Sequence, residues 1–174
     1  MSDITTSKIQ RTTKPKIEEV LPYYLDGEML NSALEFVAYL RTEKMNPGWS
    51  VHNAWRANSK GKPLCYVRLG KDWVRDTENV KWVIFLYLDH MDEYADKILD
   101  ENWQYTIWDD LHYCRKPNCP YGCNPGMTAT ILGKEFSGLC PTIYKRVSFM
   151  NPDVATIEVI KKLLQFERQA RATK

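Results

Sequence analysis

The chain has 174 residues, which is enough for one domain with a full hydrophobic core. Hydrophobic residues make up 44% and charged residues 26%, the shares of an ordinary globular protein. The net charge of +2 is too small for a general nucleic-acid-binding protein, and the longest apolar run, residues 83–88, is far too short to span a bilayer.

The positive charge is concentrated at the start of the chain. The first 16 residues are polar and threonine-rich, and they predict a flexible basic tail, residues 1–16, before a single α+β domain, residues 17–174. The tail lacks the apolar segment of a signal peptide. We therefore expect a cytoplasmic protein with reduced cysteines, no membrane contact, and contact with nucleic acid only through the basic tail.

The first half of the domain predicts one helix and then strands. Apolar residues recur at helical spacing over residues 28–44, with Asp26 as the N-cap. Three strands are predicted next, at residues 49–57, 63–69 and 80–88. The last of these runs is apolar on both faces, which is typical of a central strand.

The second half adds short elements and a long final helix. Asp89 is the predicted N-cap of a short helix, and residues 103–108 fit either a strand or a helical turn. Two more strands are predicted at residues 128–136 and 144–149. Asn151 is the predicted N-cap of a helix that runs to about residue 171. This order predicts an α+β fold, an antiparallel sheet with helices packed mainly on one face and a cysteine-rich loop inserted, with the sheet order left open.

Four of the five cysteines lie in one tract, a loop of residues 112–126 that is closed by Cys140. They are Cys114, Cys119, Cys123 and Cys140. The tract is rich in proline and glycine and has little apolar surface to hold it in place, so thiolates that converge on a metal would supply the missing order. We predict a structural zinc site of these four cysteines, with His112 as a substitute ligand.

Other interpretations of the tract stay open. An iron–sulfur cluster uses the same ligands, but no flanking cofactor motif accompanies them. Redox-active thiols are another interpretation, because Arg115 and Lys116 beside Cys114 would favour its thiolate. The tract also fits a solvent-facing loop with unliganded thiols, and Cys65 fits a small core residue.

A ligand pocket is predicted on the first two strands. It combines two aromatic rings, an amide and a guanidinium, from Asn53, Trp55, Tyr66 and Arg68. Paired strands bring side chains of one face within reach of each other, and this set would bind a small anionic or aromatic ligand. The competing interpretation is an ordinary half-buried sheet.

Several segments together resemble a known group of proteins. They are GWSVHNAWRANSKGKPLCYVRL (48–69), the HYC…C…GCNPG tract (112–126), TILGKEF (130–136) and C…FMNPD…KKLL (140–164). The chain resembles an uncharacterised family of small Firmicutes proteins, whose segments occur beside transcription factors of the AraC type. Residues 28–100 also look like the YdhG-type domain of unknown function, which implies a frataxin-like α+β fold and a link to iron handling. Neither resemblance assigns catalytic residues.

These patterns together predict a non-enzymatic small-molecule-binding or sensing domain with a zinc-type cysteine site. The alternative is a thiol- or metal-based redox or metal-handling protein. An enzyme ranks last, because four thiolates would leave the metal no open position for water. The ligand, the metal and the oligomeric state are left open by the sequence.

Overall fold

The computed structural model of the chain describes residues 4–70, 79–114, 126–141 and 146–173. In these ranges the predicted α+β fold is confirmed. The helices are α1 (Ser7–Thr13), α2 (Ile17–Val20), α3 (Gly27–Thr42), α4 (Ala95–Asp100), α5 (Gln104–Asp109) and α6 (Val154–Ala172), with 3₁₀ turns at Leu21–Tyr23 and Met91–Tyr94. The strands are β1 (Gly48–Val51), β2 (Ala54–Ser59), β3 (Lys62–Leu69), β4 (Trp82–Tyr87), β5 (Met127–Ile131), β6 (Lys134–Leu139) and β7 (Arg146–Met150).

The main sheet has five strands in the order β1-β2-β3-β4-β7, and every neighbouring pair is antiparallel. The predicted central strand is β4, which pairs with β3 on one side and with β7 on the other. β5 and β6 form a separate two-stranded sheet. In chain order, the second sheet therefore lies between β4 and β7, two strands that pair with each other. The cysteine-rich insertion is predicted in the same part of the chain.

Helices α3 and α6 cover one face of the main sheet. Their buried residues follow the apolar stripe that helical periodicity requires, for example Phe36, Val37 and Leu40 in α3. They pack in one core with alternate residues of the strands, which are Trp55, Ala57, Cys65, Val67, Ile84, Leu86, Val147 and Phe149. Each large side chain fully buried here contributes about 1.5–3 kcal/mol. Within the described ranges no helix is both long enough and apolar enough to cross a membrane.

Two of the predicted strands are hairpins. The run 49–57 turns at His52 and Asn53, and Asn53 takes a left-handed conformation with φ of 56°. The run 128–136 turns at Leu132 and Gly133, where both φ angles are positive. Asparagine and glycine adopt such angles readily, but leucine does not, so the second turn has no strong local signature.

The predicted N-terminal tail contains a packed helix. Gln10 of α1 is fully buried; its side chain accepts a hydrogen bond from the backbone N–H of Asn53 at 2.8 Å and donates one to the Asn53 Oδ1 at 2.7 Å. The indole N–H of Trp55 donates to the carbonyl of Pro15 at 2.8 Å. These contacts correct the prediction of a free tail. The composition of the tail did not indicate these contacts, because they are hydrogen bonds to polar groups of the β1–β2 hairpin, which is distant in the sequence.

The start of α6 differs from the prediction by two residues. Asp153, not Asn151, is the N-cap, and its carboxylate accepts from the backbone N–H of Thr156 at 2.8 Å. Asn151 instead accepts from the backbone N–H of Lys81 at 2.8 Å. Asn151 therefore connects the start of β4 to the end of β7. This contact between distant parts of the chain was not indicated by the position of Asn151 before a proline.

Candidate ligand-binding site

The second face of the sheet points away from α3 and α6. The register pairs Trp55 with Val67 on the core face and Arg56 with Tyr66 on the opposite face. Continued across β4 and β7, the same alternation assigns to this face Ala54, Arg56, Tyr66, Arg68, Val83, Phe85, Tyr87, Arg146, Ser148 and Met150. Phe85 is buried but does not belong to the main core. These ten described strand residues include three arginines and no carboxylate.

A cavity of about 280 Å³ opens on this second face. It is lined by Tyr66, Arg68, Phe85, Tyr87 and Arg146. Tyr66 and Phe85 are direct cross-strand partners, and so are Tyr87 and Arg146, so the strand pairing itself holds the lining together. Aromatic faces beside guanidinium groups suit a ligand that combines an apolar body with an acceptor of charged hydrogen bonds.

The lining residues also contact each other. The guanidinium carbon of Arg146 lies 4.7 Å from the ring centroid of Tyr87, within the range of a cation–π interaction. The rings of Tyr66 and Tyr87 are tilted by 41°, with their centroids 5.9 Å apart. Burial raises the pKa of Tyr87, although the charge of Arg146 opposes this. The phenol therefore stays neutral near pH 7 and is able to donate a hydrogen bond.

His112 packs against this face at Phe85. Its ring stacks on Phe85 at 6.4 Å with an interplanar angle of 14°, and only 2% of the residue is exposed. The segment that carries it pairs with β6: the N–H of Cys114 donates to the carbonyl of Gly138 at 2.7 Å, and the N–H of Cys140 donates to the carbonyl of His112 at 3.0 Å. Two backbone hydrogen bonds thus hold the start of the predicted cysteine loop beside the cavity.

The prediction of a metal-binding cysteine cluster is corrected. Among the residues that the structure describes, no three His, Cys, Asp or Glu side chains are grouped so that they could hold a metal ion. Cys114 and Cys140 form no disulfide in the described ranges, while Cys119 and Cys123 lie outside those ranges. The physical reason is that both ends of the tract are ordered by backbone pairing with β6. The prediction assigned this ordering role to zinc.

A third described cysteine lies in the core. Cys65 is fully buried, and burial raises its pKa to about 12. A thiol with such a pKa is almost wholly protonated at neutral pH and is a poor nucleophile. Cys65 is therefore a small core residue, as its place in β3 predicted.

The four predicted pocket residues separate into two pairs. Tyr66 and Arg68 line the cavity. Trp55 is fully buried on the opposite face, and Asn53 lies in the β1–β2 turn, where its amide N–H donates to the hydroxyl of Tyr24 at 2.7 Å. The prediction grouped residues across an unknown register. In the actual pairing the even-numbered residues of β3 meet even-numbered partners on β2, so Trp55 and Tyr66 face opposite ways.

Sequence reasoning missed three lining residues, Phe85, Tyr87 and Arg146. Phe85 and Tyr87 belong to a run that is apolar throughout, so the run does not show which of its faces carries a site. In β7 the available signal was the alternation of Arg146 and Ser148 with Val147 and Phe149. Its meaning depends on the pairing of β7 with β4, which joins residues about 60 positions apart.

A second cluster of titratable groups lies at the end of α6. The carboxylate of Glu167 is fully buried and accepts from Arg171 Nε at 2.8 Å, from the Tyr94 hydroxyl at 2.9 Å and from the backbone N–H of His90 at 3.1 Å; the His90 ring lies 2.9 Å away. Asp89, the predicted helix cap, contacts Arg171 at 3.4 Å instead. Arg171 also donates to the backbone carbonyl at the end of β4. The cluster thus joins α6 to the sheet.

No family model, no curated protein and no solved structure matches the chain. The resemblance to uncharacterised Firmicutes proteins stays a prediction. Function is therefore inferred from the chemistry of the cavity itself.

Proposed function

We propose that the protein is a small-molecule-binding or sensing domain whose ligand occupies the cavity on the second face of the sheet. The observation that supports this most is the lining itself. Tyr66, Phe85 and Tyr87 provide aromatic surface, and Arg68 and Arg146 provide cationic groups, around a space of about 280 Å³. This combination of apolar walls with a few polar groups is typical of ligand sites.

The chemistry of the lining favours binding over catalysis. Arginine stays protonated at every physiological pH, so Arg68 and Arg146 do not accept a proton from a substrate. Burial raises the pKa of Tyr87, so this phenol is not a base near pH 7 either. These groups can orient and hold a ligand by charge-assisted hydrogen bonds.

We also propose a cytoplasmic location, where a ligand reaches the domain directly. The support is that Cys65, Cys114 and Cys140 form no disulfide in the described ranges, as is usual in a reducing compartment. Fractionation of cells that express the untagged full chain tests this. Recovery of the protein outside the cytoplasmic fraction would contradict it.

A thermal-shift screen of small molecules that span anionic, neutral and cationic classes tests the binding proposal. We expect at least one class to raise the melting temperature in a concentration-dependent manner, because a ligand that binds only the folded state stabilises it. Tyr66→Ala, which removes a wall of the cavity, should reduce that shift. Tyr23→Ala, at a tyrosine that is 65% exposed and far along the chain from the lining residues, is the matched control and should not.

The outcome against the proposal is equally definite. If no compound of any class shifts the melting temperature, the cavity is not a ligand site. If compounds bind but Tyr66→Ala and Tyr23→Ala respond alike, they bind elsewhere.

A further inference from the structure

We infer that the ligand is a small planar anion, an aromatic ring that carries a carboxylate or a phosphate group. The inference rests on the proposed function and adds the ligand's chemical class. Three independent features of the second face lead to it: two arginines without an ion pair in the described ranges, the spacing of two tyrosine rings, and a buried hydroxyl.

Two arginines of this face, Arg56 and Arg146, carry positive charge that no carboxylate of the described ranges balances. Arg146 lines the cavity, and Arg56 lies on the same face as the cross-strand partner of the lining residue Tyr66. Two positive charges on one face of the sheet favour an anion, and the planar guanidinium suits the two oxygens of a carboxylate or phosphate.

The ring spacing defines the apolar part of the ligand. The centroids of Tyr66 and Tyr87 are 5.9 Å apart, which is less than the roughly 7 Å that a third ring needs between two stacked rings at about 3.5 Å contact distance. A ligand ring therefore lies across the two tyrosines and is not inserted between them. A volume of about 280 Å³ is at the small end of ligand pockets, which suits one or two fused rings.

Ser148 supplies the third feature. It is fully buried, it is the cross-strand partner of Phe85, and it is two residues from Arg146 on the same face. Within the part of the chain that the structure describes, its hydroxyl has no hydrogen-bond partner. Ser148 is not itself a lining residue, but a buried hydroxyl without a partner is costly, so one on the cavity's side of the sheet, next to the lining residues Phe85 and Arg146, is suited to an oxygen of the ligand.

Isothermal titration of the full chain with four matched probes tests the inference. They are 2-naphthoate, 2-naphthyl phosphate, 2-naphthylmethanol, and inorganic phosphate. We expect the carboxylate, the phosphate ester or both to bind at least tenfold more tightly than the neutral alcohol and than inorganic phosphate, because only the anionic rings use both the arginines and the tyrosines. The ratio between the two anionic rings distinguishes a carboxylate ligand from a phosphate ligand.

The variants assign the effect to this face. Arg146→Gln should weaken the anions roughly 10- to 100-fold, the usual effect of losing a charged hydrogen bond, and should leave the alcohol unchanged. Arg146→Lys should restore part of the affinity. Arg11→Gln, at an exposed arginine of α1, removes the same charge elsewhere and should have no effect. Ser148→Ala, nearly isosteric, should weaken the anions several-fold, and it provides a second test should Arg146→Gln not fold.

Two patterns of binding would overturn the inference. One is equal binding of 2-naphthylmethanol and the two anions; if Tyr66→Ala still abolished that binding, the cavity would remain a ligand site for neutral rings. The other is anion binding that neither Arg146→Gln nor Ser148→Ala changes. Failure of all four probes would also count against the planar anion, whereas the binding proposal itself depends on the full range of compound classes.

Discussion

Glu167 is a carboxylate that the fold surrounds with donors. Burial by itself would raise its pKa, but the hydrogen bonds from His90, Arg171 and Tyr94 outweigh burial, so its pKa is lowered. The folded protein therefore favours the ionised form. Its contribution to stability is complete above the ordinary glutamate pKa of about 4.3, and is lost as the pH falls through the lower pKa of the folded state.

Glu167→Gln should accordingly lower the free energy of unfolding by about 3 kcal/mol at pH 7, because it leaves the guanidinium of Arg171 buried without its main partner. The difference from the wild type should shrink as the pH drops below about 4. Urea unfolding at several pH values measures both effects. Glu158→Gln, at a carboxylate that is 61% exposed and paired with Lys161, is the control and should cost less than about 1 kcal/mol. A difference that stays constant from pH 7 to pH 3 would contradict this assignment.

At the scale of single residues, the sequence identified the types needed for a ligand site but not their grouping. Tyr66 and Arg68 were recognised because they alternate with apolar neighbours in a strand. Trp55 was added to them although it lies on the other face. Alternation within one strand shows which of its residues share a face. Only the register shows which residues of the neighbouring strand lie on that same face.

Among the elements, the β5–β6 hairpin depends on a close approach of two glycines. A Cβ atom at Gly126 would lie 2.7 Å from the backbone carbonyl carbon of Gly138, a distance that no side chain tolerates. The carbonyl of Gly138 also accepts the hydrogen bond from Cys114. Gly138 therefore takes part both in the close approach to Gly126 and in the backbone hydrogen bond that holds the segment of His112 near the cavity.

Gly126→Ala should therefore lower the stability by about 1–3 kcal/mol more than Gly133→Ala does. Both glycines have positive φ, 96° and 78°, so both substitutions strain the backbone; only Gly126 also has backbone atoms in the path of the new methyl group. Melting temperatures of the two variants measure the difference. Equal melting temperatures would show that the hairpin opens at this point without cost.

Elements were predictable where the signal was local. The helix predicted at 28–44 corresponds to α3, because its periodicity is visible in its own residues. The hairpins inside 49–57 and 128–136 were missed, because their turns use His52-Asn53 and Leu132-Gly133, pairs in which the first residue is not a usual turn former. The end-to-end link made by Asn151 and the pairing of β7 with β4 depend on long-range contacts and had no local signal.

In the whole molecule, the division of the sheet into two faces separates stability from binding. The helices α3 and α6 bury one face, and residues 4–16 fasten the hairpin of β1 and β2. The opposite face is thereby free to carry charged and aromatic side chains. Composition predicted neither the docking of the N-terminal segment nor the placement of charge on one face.

The N-terminal contact predicts a stability effect far from the cavity. Gln10→Ala should lower the free energy of unfolding by about 1–3 kcal/mol, because the amide and the backbone N–H of Asn53 lose their partner in a part-buried place. Arg11→Ala, the exposed neighbour on α1, should change it by less than about 0.5 kcal/mol. Urea unfolding at pH 7 compares the two. Equal stability of both variants would support a free tail after all.

The central claim, that the second face of the sheet is a binding surface, is tested most directly by NMR of protein with ¹³C-labelled tyrosine during titration with 2-naphthoate. The ring signals of Tyr66 and Tyr87 should move with increasing ligand, while those of Tyr23 and Tyr105, which are 65% and 61% exposed and do not line the cavity, should stay in place. Movement of Tyr23 and Tyr105 without Tyr66 and Tyr87, or no movement at all with this probe or with any compound found in the thermal-shift screen, would contradict the claim.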